Sequence, residues 1–142
     1  MAGWLYVVLE DIHPLYGGFR VTVTGGNEVW TIVVGGGPMQ GHRFRAKLPQ
    51  EAFRDLERIL AAHPPRNMDP FGTYLPVPDE SILTITFGTP GGRIVARKMS
   101  GHKDLDFEAV AHFLTDISRI VAKNTSPTDQ GSWNHAMGFL TT

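Results

Sequence analysis

The stretch FRVTVTGGNEVWTIVV, residues 19–34, decides the fold class. Its first six residues alternate between apolar and polar side chains, which is typical of a strand with one buried face. Gly25, Gly26 and Asn27 tolerate positive φ and predict a tight turn. The residues after the turn are apolar on both faces, so we expect a central strand that pairs with the first in an antiparallel hairpin.

Similar runs on both sides extend this hairpin into a sheet. Residues 4–10, WLYVVLE, predict a strand before it, and residues 42–48, HRFRAKL, alternate and predict a strand after it. Further along the chain, SILTITF and RIVARKM (81–87 and 93–99) predict a second hairpin around the turn GTPGG.

Two segments have the period of an amphipathic helix. Residues 49–63 begin with Pro49, which suits a first helical position, and carry apolar side chains on one face. Residues 104–124 carry a longer apolar stripe. We therefore predict an α+β fold in the order β-β-β-β-α-β-β-α: an antiparallel sheet of about five to six strands with two helices packed on one face. Residues 1–123 form one domain, and residues 124–142 form a C-terminal tail with a short apolar segment.

Composition excludes several classes of protein. The chain has 142 residues, a formal net charge of -1 and no cysteine, which excludes disulfides, thiolate zinc sites and thiol catalysis. The balanced charge gives no general attraction to nucleic acid or to an anionic membrane. No apolar run is long enough to span a bilayer, and the start lacks the basic region of a signal peptide. A bacterial-type cytoplasmic protein is expected.

The segment GGGPMQGHR, residues 35–43, approaches the spacing of a phosphate-binding loop. Such a loop needs lysine and a hydroxyl residue after its last glycine, and then a helix. Here His42 and Arg43 follow Gly41 and a strand begins. We predict a hairpin loop and no nucleotide or other cofactor.

No catalytic or metal-binding residue is predicted. The six histidines are scattered, and Glu108, His112 and Asp116 recur at the spacing of surface ion pairs on a helix. Ser100 and His102 lie where helix-capping residues are expected. A site assembled from distant loops, such as His13 with His102, stays open.

Three features are candidates for partner binding. Three cations project from one face of the fourth strand, and Arg20, Arg93 and Arg97 join them if the register allows. They form a solvated sheet face, or a patch for an acidic protein surface or for phosphates. A proline-rich loop and the apolar tail, whose Trp133, Met137 and Leu140 have helical spacing, supply aromatic anchors; the tail packs on its own domain or on a partner. The candidate residues are Arg43, Arg45, Lys47, Phe71, Tyr74, Trp133, Met137 and Phe139.

The order of motifs resembles one known family. YGGF (16–19), RVTV (20–23), LPQEAFRDLERIL (48–60) and the hairpin LTITF…GGRIVARK (83–98) are similar to emfourin. Emfourin-type proteins are small bacterial inhibitors of thermolysin-like metalloproteases, so the resemblance implies a protease partner. It covers residues 4–123. The chain departs from it by a longer first hairpin, a longer middle loop and the tail, which leaves the target protease open, and no inhibitory residue is carried over.

The function predicted from these features is non-enzymatic protein binding by surface occlusion, as in a protease inhibitor, an immunity protein or an adaptor subunit. The partner is another protein, a protease or a larger complex. One alternative is a nucleic-acid-binding module that uses Arg43, Arg45 and Lys47, although no aromatic side chains interleave with these cations for base stacking. The other is a small enzyme with a loop-assembled site.

Overall fold

A computed structural model describes residues 3–35, 39–69, 81–134 and 139–141. Its elements form one antiparallel sheet of eight strands and two helices. In chain order they are β1 (Tyr6–His13), β2 (Gly17–Thr24), β3 (Glu28–Gly35), β4 (Gln40–Lys47), α1 (Gln50–Ala62), β5 (Ile82–Thr89), β6 (Gly92–Met99), α2 (Leu105–Asn124), β7 (Asp129–Asn134) and β8 (Phe139–Thr141).

The chain crosses from one side of the sheet to the other twice, because strands that are neighbours in the sheet are not all consecutive in the sequence. The strand order is β6-β5-β1-β2-β3-β4-β7-β8. The connection from β4 to β5 contains α1, and the connection from β6 back to β7 contains α2. The two helices therefore run in opposite directions across the fold.

The core lies between the helices and one face of the sheet. Alternate residues of the central strands point into it, including Val7, Val21 and Val29, which are fully buried. Leu56 of α1 and Leu114 of α2 are equally buried and pack in the same cluster. The apolar side chains that alternate along the strands and those that form the helix stripes thus pack in one layer, as the sequence pattern predicts.

The predicted α+β class, the antiparallel sheet and the two helices are confirmed, but the strand number is wrong. Seven strands have six to eight residues, and β8 adds three more residues at the edge. The sequence DQGSWN of β7 has one large apolar residue and no alternating pattern. Its strand conformation comes from pairing with β4, which local sequence does not encode.

The helices also differ in position from the prediction, which places them as equivalents on the sheet. α2 contacts β1 to β4, whereas α1 packs chiefly against α2. α1 reaches the sheet layer near its start, where the Phe53 ring lies 5.5 Å from that of Trp4. Burial explains the difference, because α1 buries only Leu56 and Leu60 completely, while α2 buries seven residues.

A polar cluster joins the end of α1 to the start of α2. The Asp104 side chain caps α2 by accepting a hydrogen bond from the Phe107 backbone N–H at 2.9 Å. Arg66 forms ion pairs with Asp104 and Asp106, and His63 Nδ1 lies 2.9 Å from Asp106 Oδ1. This cluster closes one end of the helix pair.

We expect the buried hydroxyl groups of Thr31 in β3 and Ser118 in α2 to stabilise the fold only as a hydrogen-bonded pair. Thr31 Oγ1 and Ser118 Oγ lie 2.5 Å apart, and both residues are buried. Ser118→Ala leaves the Thr31 hydroxyl without its partner and should cost about 1–3 kcal/mol of unfolding free energy. The double variant Ser118→Ala/Thr31→Val should recover most of this loss in urea denaturation. Additive losses in the double variant would contradict this account.

The charge of Asp104 should make stability depend on acidic pH. The Phe107 backbone hydrogen bond, followed by Arg66, holds the pKa of Asp104 below its ordinary value of 3.8. Because the folded pKa is lowered, the contribution is present above the unfolded pKa and is lost as the pH falls through the folded one. Asp104→Asn keeps a capping oxygen but removes the charge. The difference in unfolding free energy between the wild type and this variant should therefore shrink below about pH 3.8; a constant difference from pH 7 to pH 2 would refute it.

Candidate protein-binding site

The three predicted cations of β4 lie on the sheet face opposite the helices, but two of them are neutralised. Arg43 forms a 3.0 Å ion pair with Asp129, and Arg45 lies 3.2 Å from Glu28. The Arg45 guanidinium also sits 4.5 Å from the centre of the Trp30 ring. Lys47 is exposed at the end of the strand. The stripe therefore presents much less positive charge than its sequence suggests.

The other arginines do not extend this stripe into a larger patch. Arg93 and Arg97 lie on β6, five strands from β4 in the sheet order, which corresponds to about 24 Å. Arg20 on β2 is closer, but it pairs with Glu10 at 3.4 Å. A shallow depression of about 310 Å³ lies between Arg20 and Arg43, and each of these arginines already has a carboxylate partner.

Trp133 of the tail packs on the sheet of its own chain. It is 8% exposed and clusters with Ile12, Ile32 and Val34 on the face opposite the helices. The Arg20 guanidinium lies 5.5 Å from the centre of its ring. Trp133 lies in β7, so the helical spacing of the tail's apolar residues does not reflect a helix there.

One row of the sheet near this tryptophan is rich in glycine. The register aligns Gly18, Val34, Gly41 and Gly131 in one row across four neighbouring strands. Three of these residues are glycines, and Trp133 packs in one cluster with Val34 and Ile32 on this face. Gly41, which looked like part of a phosphate loop in the sequence, contributes to a packing surface.

The remaining predicted anchors have different outcomes. Phe139 belongs to β8, which pairs with β7. Phe71, Tyr74 and Met137 lie outside the described residues.

An apolar concavity lies on the helix side of the sheet. It has a volume of about 440 Å³ and lies between the end of β4, the start of α1 and the end of α2. This feature, the α1/α2 groove, is at the opposite end of the helix pair from the Arg66 cluster. Its apolar lining includes Ala46, Leu48, Ala52, Phe113, Ile117, Ile120 and Val121, and its polar lining includes Lys47, Asp55 and Asp116.

Ile120 is the exposed apolar side chain of this groove. It is 60% exposed, although the sequence pattern assigns it to the buried stripe of α2. The stripe of α2 is wider than the surface that β1–β4 and α1 cover. The width of this apolar stripe can be read from the sequence. The part of the stripe that stays uncovered depends on the position of α1, which the sequence pattern does not give.

The histidines of the described residues do not assemble into a metal site. No group of three or more His, Asp or Glu side chains in this part of the chain is arranged so that it could hold a metal ion. His13 is buried, its Nδ1 accepts a hydrogen bond from Leu15 N–H, and its ring stacks on Tyr16 at 4.6 Å. Burial raises the pKa of Asp11 above its ordinary value, and the nearby His13 opposes the rise. These contacts give His13 a structural role in the turn after β1. Within the described ranges, no helix is long and apolar enough to cross a membrane.

Comparison with known proteins leaves the family of this chain open. The chain gives no significant match to protein-family models, to curated proteins or to solved structures. Assignment of a function therefore rests on the surface of this chain alone.

We expect Trp133 to hold β7 onto β4. Trp133→Ala removes the largest side chain of the Ile12, Ile32 and Val34 cluster and should lower the free energy of unfolding by about 3–5 kcal/mol. Hydrogen exchange of the β4 amides that face β7 should accelerate as β7 detaches. Trp30→Ala, which alters a half-buried tryptophan of the same sheet face, is the matched control. Equal acceleration in both variants would contradict a specific role for Trp133.

Proposed function

We propose that this chain is a non-enzymatic protein-binding module that covers part of the surface of a partner protein, as a protease inhibitor, an immunity protein or an adaptor subunit does. The observation that carries the proposal is the α1/α2 groove, an apolar concavity of about 440 Å³ that leaves Ile120 in contact with solvent. Its lining is mostly apolar, which suits apolar side chains of a partner.

The chemistry of this groove favours a protein over a small polar ligand or a nucleic acid. Its floor is formed by aliphatic and aromatic side chains from β4, α1 and α2. Apolar anchors in pockets of this kind supply most of the binding energy in protein interfaces, while surrounding polar groups exclude water. Lys47, Asp55 and Asp116 line the groove together with these apolar residues. The groove thus combines apolar residues with charged groups, as an interface combines an apolar centre with a polar rim.

The nucleic-acid alternative has less support from the described surface. Binding to phosphates requires cations that are free to replace counterions. Arg43 and Arg45 instead have carboxylate partners in Asp129 and Glu28, and the Arg20 side chain pairs with Glu10. Affinity that falls steeply with added salt would favour this alternative.

The resemblance to emfourin gives the proposal a specific form. A thermolysin-like metalloprotease would then be the partner, and the chain would act by covering the protease surface. Stoichiometric inhibition of such a protease by the purified chain would support this form of the proposal. Binding to another class of protein would leave occlusion in place and would exclude the metalloprotease target.

A pair of matched substitutions on α2 tests the groove. Ile120→Gln makes the groove polar, and Leu105→Gln makes the same change at the other end of the helix, where Leu105 is 81% exposed. Both changes should alter stability by less than about 0.5 kcal/mol because both residues are at the surface. In affinity purification from the native host, Ile120→Gln should lose a partner that the wild type and Leu105→Gln retain.

Two outcomes of this experiment would overturn the proposal. A partner retained equally by all three baits would exclude the groove as the binding site. Recovery of no stoichiometric partner, together with a monomeric mass for the wild type, would exclude the protein-binding function.

A further inference from the structure

β7 and β8 are attached to the rest of the sheet through part of one strand. β8 lies at the end of the strand order and pairs with β7. β7 in turn pairs with half of the eight-residue strand β4, from Gln40 to Arg43. The opposite edge strand, β6, pairs with β5 over all eight of its residues. β7 and β8 together, which we call the β7–β8 strap, therefore have the shorter attachment of the two edges of the sheet.

Two side-chain contacts support this attachment. Trp133 packs in the apolar cluster on the sheet face opposite the helices. Asp129 forms its 3.0 Å ion pair with Arg43, and the two side chains are 41% and 33% exposed. An ion pair that is this accessible to water contributes little to stability. The docking of the strap thus depends chiefly on Trp133.

The burial of Trp133 also carries a cost. Its indole Nε1–H is buried, and within the described ranges of the chain it has no hydrogen-bond acceptor. A donor in this position loses its hydrogen bonds to water and gains none in return. When the strap detaches, water hydrates the N–H again. The side chain that docks the strap therefore holds it less firmly than an apolar ring of the same size would.

The hydrogen bonds around the connection from α2 to β7 mark where the strap begins. The Thr125 backbone N–H and hydroxyl both donate to the Val121 carbonyl, so Thr125 belongs to the end of α2. The Thr128 backbone N–H donates to the Arg43 carbonyl at 2.7 Å and so belongs to the sheet. The two residues between them, 126 and 127, are exposed. A rotation there moves the strap and leaves the helix in place.

We infer that the β7–β8 strap is a reversible cover that opens as one unit about residues 126–127 while β1–β6 and both helices stay folded. Opening separates Arg43 from Asp129, uncovers the Gln40–Arg43 edge of β4 and exposes the apolar cluster. The sheet face opposite the helices therefore has a closed state and an open state. The inference concerns the face opposite the α1/α2 groove and does not depend on the proposed function.

Hydrogen exchange of the folded protein at increasing urea concentration tests for this opening. The reporters are the amides of Thr128 and Trp133, which donate to the carbonyls of Arg43 and Met39. We expect both amides to exchange through one shared opening. Its urea dependence should be weaker than that of global unfolding, because less surface is exposed. The amide of Val21, a fully buried residue of the central strand β2, should exchange only by global unfolding.

A disulfide can lock the strap, because the chain has no cysteine of its own. His42 and Gln130 are aligned across β4 and β7. In the oxidised variant His42→Cys/Gln130→Cys, the amides of Thr128 and Trp133 should exchange only by global unfolding. The reduced form of the same variant is the control, and in it both amides should regain the weaker urea dependence.

A matched pair of charge substitutions tests the ion pair of the strap. Asp129→Asn keeps an acceptor oxygen but removes the attraction to Arg43, and it should speed exchange of the strap amides about twofold to fivefold. Glu28→Gln makes the same kind of change in the Arg45–Glu28 pair of the same sheet face, which the strap does not contain. It should leave the exchange of the strap amides unchanged.

An isosteric replacement tests the buried N–H of Trp133. β-(3-Benzothienyl)alanine at position 133 keeps the shape of the ring and has sulfur in place of the N–H. It should slow exchange of the strap amides about fivefold or more, because the closed state no longer buries an unpaired donor. Trp133→Ala should instead speed their exchange.

Several results would overturn the inference. One is exchange of the Thr128 and Trp133 amides only through global unfolding in the wild type, and another is an oxidised disulfide variant that exchanges like its reduced form. Equal acceleration by Asp129→Asn and Glu28→Gln, or unchanged exchange with the benzothienyl side chain, would contradict the contacts assigned to the strap. Opening that occurs only together with a concentration-dependent dimer would indicate exchange of straps between two copies and would exclude a cover that acts within one chain.

Discussion

The packing of α2 across β1–β4 is the contact on which the rest of the structure depends. It buries Val110, Leu114 and Ile117 against the apolar face of the central strands, and burial of apolar surface contributes about 25 cal/mol for each Å². Thr31 and Ser118 hydrogen-bond to each other inside this layer, so the polar atoms carried in with the apolar surface are satisfied. α1 then packs against α2, and its position follows from that of α2.

The unequal burial of the two helices also creates the groove. The pair is closed at one end, where Arg66 and His63 contact Asp104 and Asp106. At the other end, the apolar stripe of α2 extends past the surface that α1 covers and leaves Ile120 exposed. The same end carries the half of β4 that β7 does not cover. The concavity and this part of β4 are adjacent because both lie where the second crossover leaves the helix layer and enters β7.

The sheet face opposite the helices is covered by neither α1 nor α2, and ion pairs and cation–π contacts occupy its surface instead. Arg20, Arg43 and Arg45 on this face are paired with carboxylates on neighbouring strands, and Arg45 and Arg20 lie over the rings of Trp30 and Trp133. Pairing of this kind contributes little stability for each contact, but it leaves few unpaired charges on an otherwise open surface. The cations that looked like a binding stripe are thus used mainly within the chain.

Local patterns in the sequence determined the class of this fold. The alternation in residues 19–24, the turn at Asn27, whose φ is indeed positive at 60°, and the two amphipathic helices depend on interactions between residues near in sequence. Only the tertiary structure decided that Asp129–Asn134 forms a strand, that Arg43 is neutralised by Asp129, and that Ile120 remains exposed. Each of these facts depends on a partner distant in sequence: β7 pairs with β4, Asp129 pairs with Arg43, and the exposure of Ile120 depends on how α1 packs against α2. Periodicity reports which face of an element is apolar, but the arrangement of the other elements decides how much of that face is covered.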